Sequence, residues 1–205
     1  MTFILASQSP SRFALLTRLG IPFDAHPANI DETPIVRERP TLYVMRMARE
    51  KAEKVSEQFS DQPILAADTI VAVGTRILRK AESEQEVHDQ LRLISGRRHR
   101  VYTALALRMP SGAYYTRLCV THVAVKILEP QEIAFFIQSG EWRNVAVYRI
   151  EGIMGMYIRM IRGLSSTVQG LPLWDVYALL KGHGLWKNPS SVALTAGELP
   201  SLLSA

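Results

Sequence analysis

The stretch PILAADTIVAV, residues 63–73, constrains the fold more than any other part of this 205-residue chain. It is apolar and rich in β-branched residues, which predicts a buried strand, and it is far shorter than the roughly 20 residues that cross a bilayer. A single acid, Asp68, interrupts it. Because an ionised carboxylate is costly to bury unpaired, the run predicts either a cation or metal beside Asp68, or a sheet bulge where it accepts local N–H groups.

The composition indicates a globular protein, with 47% hydrophobic and 21% charged residues. A net charge of +5 favours anionic partners, without deciding among nucleotides, nucleic acid and acidic membranes. Cys119 is the only cysteine, so an internal disulfide is excluded and a reducing, cytoplasmic location is expected. We expect no secretory signal and no membrane association, since the sequence has neither a signal-like N-terminus nor a long uncharged apolar run.

The first predicted strand runs directly into ILASQSPSR, residues 4–12, where hydroxyls surround a proline. A strand that leads into Ser-x-Ser-Pro and then a helix directs hydroxyls, backbone N–H groups and the positive helix end at one point, which suits a phosphate. Ser7, Ser9 and Arg12 are the candidates, the last because a guanidinium fork fits phosphate oxygens. The alternative is an ordinary strand–turn–helix in which Ser9 caps the helix and Arg12 is exposed.

Three further charged residues are candidates beside Asp68. Glu32 lies in an acidic loop and is either solvated or a second oxygen ligand, with Asp68, for Mg²⁺. Lys51 shares a row with Val44, Ala48 and Val55 on a predicted helix, so it either points into a cleft or snorkels at its edge. Lys80 is a loop charge whose role the pattern leaves open.

Several function classes find little support in the sequence. The basic run at 97–100 lacks interleaved aromatic residues, so it is a poor nucleic-acid footprint. The five histidines are scattered without metal-ligand spacing, which argues against a zinc site. We find no Walker-type or dinucleotide glycine pattern.

Caps, turns and alternation predict the secondary structure along the whole chain. No repeat or linker is evident, so one domain over 1–205 is expected, with a loose tail after about residue 188. The predicted strands cover 2–6, 23–26, 63–73, 101–108, 117–127, 153–161 and 165–168, and the predicted helices cover 10–19, 40–56, 83–93, 130–138 and 172–180.

Taken together, the motifs resemble those of the Maf family of nucleoside triphosphate pyrophosphatases. Their order and spacing, from Ile4 to about Leu180, carry the resemblance. The matching stretches are LASQSPSR at 5–12, DE at 31–32, AREKA at 48–52, AADT at 66–69, SGRRH at 95–99 with Val101 and Thr103, IEG at 150–152 and GLPL at 170–173.

The resemblance implies an α/β fold of mixed α+β type, two-lobed like the inosine-triphosphate pyrophosphatases. Helices would flank a twisted mixed β-sheet with a central cleft, and the protein would often be dimeric. It also implies cleavage of a nucleoside triphosphate to the monophosphate and pyrophosphate with Mg²⁺ or Mn²⁺. Asp68 would accept the proton of the attacking water, and Glu32 would join it at the metal. The positions that would face the phosphates are Ser7, Ser9, Arg12, Lys51 and Lys80.

The base-side positions implied by the resemblance are Ser11, Thr69 and Glu151. One family branch, preferring dTTP and UTP, has arginine, threonine and glutamine there, and another, preferring 7-methyl-GTP, has tryptophan, glutamine and glutamate. This chain matches neither set, so the preferred base stays open.

Three other positions depart from the family. Asn144 replaces a usual lysine, Ala146 a glycine, and Ala81 a proline. The missing lysine and the basic 97–100 run motivate a second hypothesis: a regulator, linked to cell division, that binds nucleotide or nucleic acid without turnover. Intact Glu32 and Asp68 favour the enzyme.

Overall fold

The computed structural model describes residues 2–186, which contain seven strands and six α-helices. The strands are β1 (Phe3–Ala6), β2 (Phe23–Ala25), β3 (Ile64–Val73), β4 (Arg76–Leu78), β5 (Arg98–Arg108), β6 (Tyr114–Val125) and β7 (Ile158–Arg162). The helices are α1 (Pro10–Thr17), α2 (Pro40–Ser56), α3 (Glu84–Ile94), α4 (Pro130–Ser139), α5 (Ser165–Val168) and α6 (Leu173–Gly182). A 3₁₀ helix covers Ile153–Tyr157.

The described strands form one mixed sheet in the order β2-β1-β3-β5-β6-β7, with β4 paired to β3. The β2-β1-β3 neighbours are parallel, and the pairs from β3 through β7 are antiparallel. The expected mixed α/β fold class is therefore confirmed.

Helices cover the two faces of this sheet differently. Helix α2 packs on one face, against alternate β3 residues such as Ala66 and Ile70. Helices α1 and α6 pack on the other face, where Leu65 and Ala67 point. A third apolar cluster joins α3 and α4 to the far ends of β3, β5 and β6, around Val71, Val101 and Val123.

Local sequence signals explain the helices nearest to β1 and β3. Pro10 follows Ser9, whose hydroxyl accepts from the Arg12 backbone N–H, so α1 begins where the cap and the proline predict. Helix α2 begins at Pro40 and buries the predicted row that includes Lys51.

One predicted strand near the C-terminal end is wrong, and another is only partly confirmed. Residues 165–168 form α5, and only the second part of 153–161 is a strand, because Ile153–Tyr157 is a 3₁₀ helix. The β-branched residues favoured strands locally, but long-range hydrogen bonds from Thr103 and Thr121 hold the α5 backbone. The sequence also gave no sign of β4, which is three residues long. The predicted tail after about 188 lies outside the described residues.

Candidate active site

The candidate site lies in a notch of the sheet. One edge of β3 is fully paired with β5, from Ile64 to Ala72. The other edge is shared by β1, whose last residue pairs with Ala66, and β4, whose pairing begins at Val71. Residues 67–70 therefore have no described strand beside them on that edge. Asp68 and Thr69 lie in this notch and, because side chains alternate along a strand, they point to opposite faces.

On the α2 face, Asp68 meets the predicted cation. Lys51 Nζ lies 2.6 Å from Asp68 Oδ1 and 2.7 Å from Glu32 Oε1. Asp68 is 6% exposed and Lys51 is 8% exposed. Of the alternatives predicted for Asp68, the structure therefore contains a cation beside the carboxylate. Of the two predicted for Lys51, it contains a side chain that points into the site.

Burial and charge act against each other at the two carboxylates. Burial raises the pKa of Asp68, and the nearby charges of Lys51 and Arg12 only partly offset that effect. Burial also pushes the pKa of Glu32 upward, but the hydrogen bond and charge of Lys51 and the charges of Lys80 and Arg12 outweigh it, so this pKa is lowered. A raised pKa makes the ionised Asp68 carboxylate a stronger proton acceptor, which is what a general base requires.

The Glu32 loop is held by contacts on both sides. Tyr43 Oη, on α2, donates to the Glu32 carbonyl oxygen at 2.7 Å. Lys80 Nζ lies 3.6 Å from Glu32 Oε2 and is half exposed. The sequence offered no signal for Tyr43, because the contact depends on how the loop returns over α2.

On the α1 face, Arg12 binds three neutral oxygens. Its Nε donates to the Gly170 carbonyl at 2.8 Å, Nη1 to Ser7 Oγ at 3.2 Å and Nη2 to Thr69 Oγ1 at 3.0 Å. Burial lowers the pKa of Arg12, against the opposing charges of Asp68 and Glu32. Ser9 accepts from the Arg12 backbone N–H at 3.4 Å, so the cap and the arginine belong to one turn.

The structure brings most of the predicted site residues together through contacts. One connected set contains Ser7, Ser9, Arg12 and Thr69, and the other contains Glu32, Lys51, Asp68 and Lys80. Within residues 2–186, no hydrogen bond or ion pair joins the Ser11 or Glu151 side chain to either set. Ser11 is half-buried on α1 and Glu151 is exposed in the turn before the 3₁₀ helix.

The three residues that depart from the family pattern differ in backbone conformation and packing. Asn144 adopts a positive φ of 62°, a conformation that asparagine tolerates better than lysine does. Ala81 and Ala146 are partly buried and pack against the α3–α4 cluster.

The donor set fits a hard divalent ion held partly by its ligand. Glu32 and Asp68 both approach the point occupied by Lys51 Nζ, so two carboxylates converge there. Among residues 2–186 there is no group of three or more His, Cys, Asp or Glu that would hold a metal by themselves. Two carboxylates completed by phosphate oxygens and waters are a usual arrangement for Mg²⁺.

A separate finding concerns membranes. Among the helices of residues 2–186, none has both the length and the apolar character that a membrane span requires.

The fold and the notch define a mixed α/β protein with paired carboxylates and cations suited to a phosphorylated ligand. The family model described as Maf-like protein matches residues 2–183, and the chain belongs to that family.

Curated relatives agree with this membership. A dTTP/UTP pyrophosphatase of Zymomonas mobilis is 48% identical over 185 residues, covering 89% of this chain and 92% of the relative. A nucleoside triphosphate pyrophosphatase of Ehrlichia ruminantium is 45% identical over 182 residues, covering 88% and 95%.

Solved structures are more distant. The Staphylococcus aureus Ham1 protein has a TM-score of 0.45 at 11% identity, covering 61% of this chain and 72% of that one.

Proposed function

We propose that the protein is a nucleoside triphosphate pyrophosphatase, a hydrolase that acts on acid anhydrides. The observation that carries this proposal is the buried Asp68, with its raised pKa, beside Lys51 at 2.6 Å in the notch between β1 and β4. The activities named for relatives 45–48% identical to this chain support it.

In the proposed reaction, Asp68 takes the proton of a water molecule. The water oxygen bonds to the α-phosphorus while the bond from that phosphorus to the α–β bridging oxygen breaks, and pyrophosphate leaves with the bridging oxygen. Catalysis of this kind depends on positioning and charge neutralisation more than on covalent chemistry. Arg12, Lys51 and Lys80 would supply the positive charge, and Ser7 and Ser9 would donate to phosphate oxygens.

Lys51 has a second task in this scheme. Its ammonium lies between Glu32 and Asp68, at the place where a divalent cation would be held. Glu32 and Asp68 are the proposed ligands for Mg²⁺ or Mn²⁺, which when bound would neutralise phosphate charge and lower the pKa of a bound water. Lys51 would then turn from the carboxylates toward the phosphates.

The base side of the substrate is assigned to Ser11, Thr69 and Glu151. An ionised glutamate only accepts hydrogen bonds, so Glu151 selects bases that present N–H donors, as both uracil and 7-methylguanine do. This requirement does not separate the two bases.

A panel of triphosphates tests the proposal. Purified protein is incubated with Mg²⁺ and each nucleotide, and released pyrophosphate is measured together with the monophosphate. Equal amounts of both products from at least one nucleotide are expected. Nucleotide binding without any product would instead favour the regulator hypothesis, and salt-sensitive RNA or DNA binding would favour its nucleic-acid form.

The remaining assignments concern assembly and location. We propose a homodimer in the cytoplasm, without membrane or nucleic-acid partners. Light scattering on the purified protein and fractionation of cells test the two statements.

A further inference from the structure

A short segment crosses the α1 face of the sheet and ends at Arg12. This crosspiece, residues 164–170, contains α5 and is tied to the sheet by two threonine hydroxyls. Thr121 Oγ1 donates to the Leu164 carbonyl at 3.1 Å, and Thr103 Oγ1 donates to the Thr167 carbonyl at 2.7 Å. Both threonines are completely buried. At the far end, the Gly170 carbonyl accepts from Arg12.

The direction of each hydrogen bond next to the crosspiece follows from elementary donor counting. A carbonyl oxygen only accepts, so Thr103 must give its single hydroxyl proton to Thr167. Thr103 Oγ1 can then only accept from Thr69 Oγ1, which lies 2.9 Å away. Thr69 therefore donates to Thr103, and its oxygen accepts from Arg12 Nη2 at 3.0 Å.

The result is a one-way relay from the guanidinium to the crosspiece. It begins at Arg12, passes through Thr69 and Thr103, and ends at the Thr167 carbonyl. Because Thr69 and Thr103 are directly paired in the β3–β5 ladder, sheet register brings their hydroxyls together. Gly170 also permits the approach: its φ is +95°, and a Cβ there would lie 3.3 Å from Arg12 Nε and 3.2 Å from Thr69 Oγ1.

We propose that Thr103 is a positioning residue that orients Arg12 toward the phosphates through Thr69. This inference rests on the proposed function, which assigns Arg12 to the phosphates. The three acceptors around the Arg12 guanidinium are neutral oxygens, two hydroxyls and one backbone carbonyl, so no carboxylate binds it directly. Three of the five guanidinium N–H groups are used, which leaves two for a phosphate.

The relay also fixes what Thr69 can offer to a substrate. Its only proton is committed to Thr103, and one lone pair is taken by Arg12. The remaining lone pair can accept a hydrogen bond, so Thr69 meets an N–H donor on the ligand and not a carbonyl oxygen.

The test compares two buried threonines that hold the same segment. Thr103→Val removes the relay and one tether, whereas Thr121→Val removes only a tether. The dissociation constant for inorganic pyrophosphate is measured by calorimetry, with and without Mg²⁺, together with Tm. We expect Thr103→Val to weaken binding about tenfold, as loss of one oriented hydrogen bond to a charged group would. Thr103→Ser should restore it, and Thr121→Val should lower Tm but leave binding unchanged.

A further comparison addresses the route of the effect. If Thr103 acts through Thr69, the double variant Thr69→Val with Thr103→Val should bind pyrophosphate no more weakly than Thr69→Val alone. Should Thr103→Val not fold, Thr103→Cys, whose thiol donates weakly, should reduce affinity about threefold.

Several results would overturn the inference. They are wild-type affinity in Thr103→Val or Thr103→Cys, an equal loss in Thr121→Val, additive losses in the double variant, or no binding of pyrophosphate by the wild type. Failure of the proposed function is a separate result, because it is measured as product release from triphosphates by the wild type.

Discussion

Asp68 and Thr69 are neighbours on β3, yet their surroundings differ in a basic way. Asp68 points to the α2 face, where Lys51 pairs with it and with Glu32. Thr69 points to the α1 face, where Arg12 is bound by neutral oxygens alone. On the first face one lysine is shared by two carboxylates, and on the second no carboxylate is among the hydrogen-bond partners of the guanidinium.

The difference teaches how one strand can divide a reaction between its two faces. A carboxylate whose pKa is raised by burial suits proton transfer, and a convergent pair of carboxylates suits a divalent cation. A guanidinium held by neutral acceptors suits a phosphate. The interruption of the sheet between β1 and β4 would let one ligand reach both faces.

The largest expected effect is on the chemistry of the Asp68 face. Asp68→Asn removes the proposed proton acceptor, so kcat for pyrophosphate release should fall by roughly 10²–10⁴-fold. The matched control is Asp31→Asn, in the same acidic loop as Glu32 but exposed, which should keep wild-type turnover. Asp68→Asn with unchanged kcat would remove Asp68 from the mechanism.

The next effect concerns the ion pairs of the same face. Lys51→Met leaves two carboxylates without their shared partner, so the free energy of unfolding should fall by about 3–5 kcal/mol. Lys54→Met, one turn along α2 in an exposed pair with Glu57, should change it by about 1 kcal/mol or less. Urea unfolding of both variants gives the comparison, and equal losses would contradict the special role of the buried lysine.

A smaller effect is expected in the pH profile. The proposed reaction needs ionised Asp68, so kcat/KM should rise with pH through a pKa above the usual range of an aspartate. Lys51 lowers this pKa and Glu32 raises it. The acid limb should therefore move to higher pH in Lys51→Met and to lower pH in Glu32→Gln. Shifts in the same direction would show that the limb belongs to another group.

The smallest effect is expected at the support of the Glu32 loop. Tyr43→Phe removes the hydrogen bond to the Glu32 carbonyl at 2.7 Å, which should cost about 1 kcal/mol of stability. Because Glu32 is assigned to the metal, the apparent affinity for Mg²⁺ in the activity assay should weaken, while KM for the nucleotide at saturating Mg²⁺ stays unchanged. An unchanged Mg²⁺ dependence would separate this loop from the metal.

Much of this arrangement could be predicted from the sequence, because the strongest signals in it were local. An acid inside an apolar run predicted either a cation or metal partner or a sheet bulge, and the structure places Lys51 of α2 beside it. A serine cap before Pro10 correctly marked the start of α1. The base-side roles of Ser11 and Glu151 stay predictions, because within residues 2–186 no hydrogen bond or ion pair joins their side chains to the notch residues. The number of domains also stays a prediction.

Features that depend on contacts between distant chain segments could not be predicted from the sequence. Thr103 is 34 residues from Thr69, and only the β3–β5 register makes them partners. The strand predicted at 165–168 failed for a related reason, since long-range hydrogen bonds hold that segment as a helix. Propensity is a weak guide where such contacts dominate.

The division of work between the two faces is tested most directly by two measurements, pyrophosphate affinity and kcat. Both are made side by side in Asp68→Asn and Arg12→Lys. Our account predicts that Asp68→Asn loses turnover but, in the absence of Mg²⁺, binds pyrophosphate at least as well as the wild type. Arg12→Lys should bind it at least tenfold more weakly, because an ammonium cannot reproduce the fork. Equal losses of pyrophosphate affinity in the two variants would contradict the account.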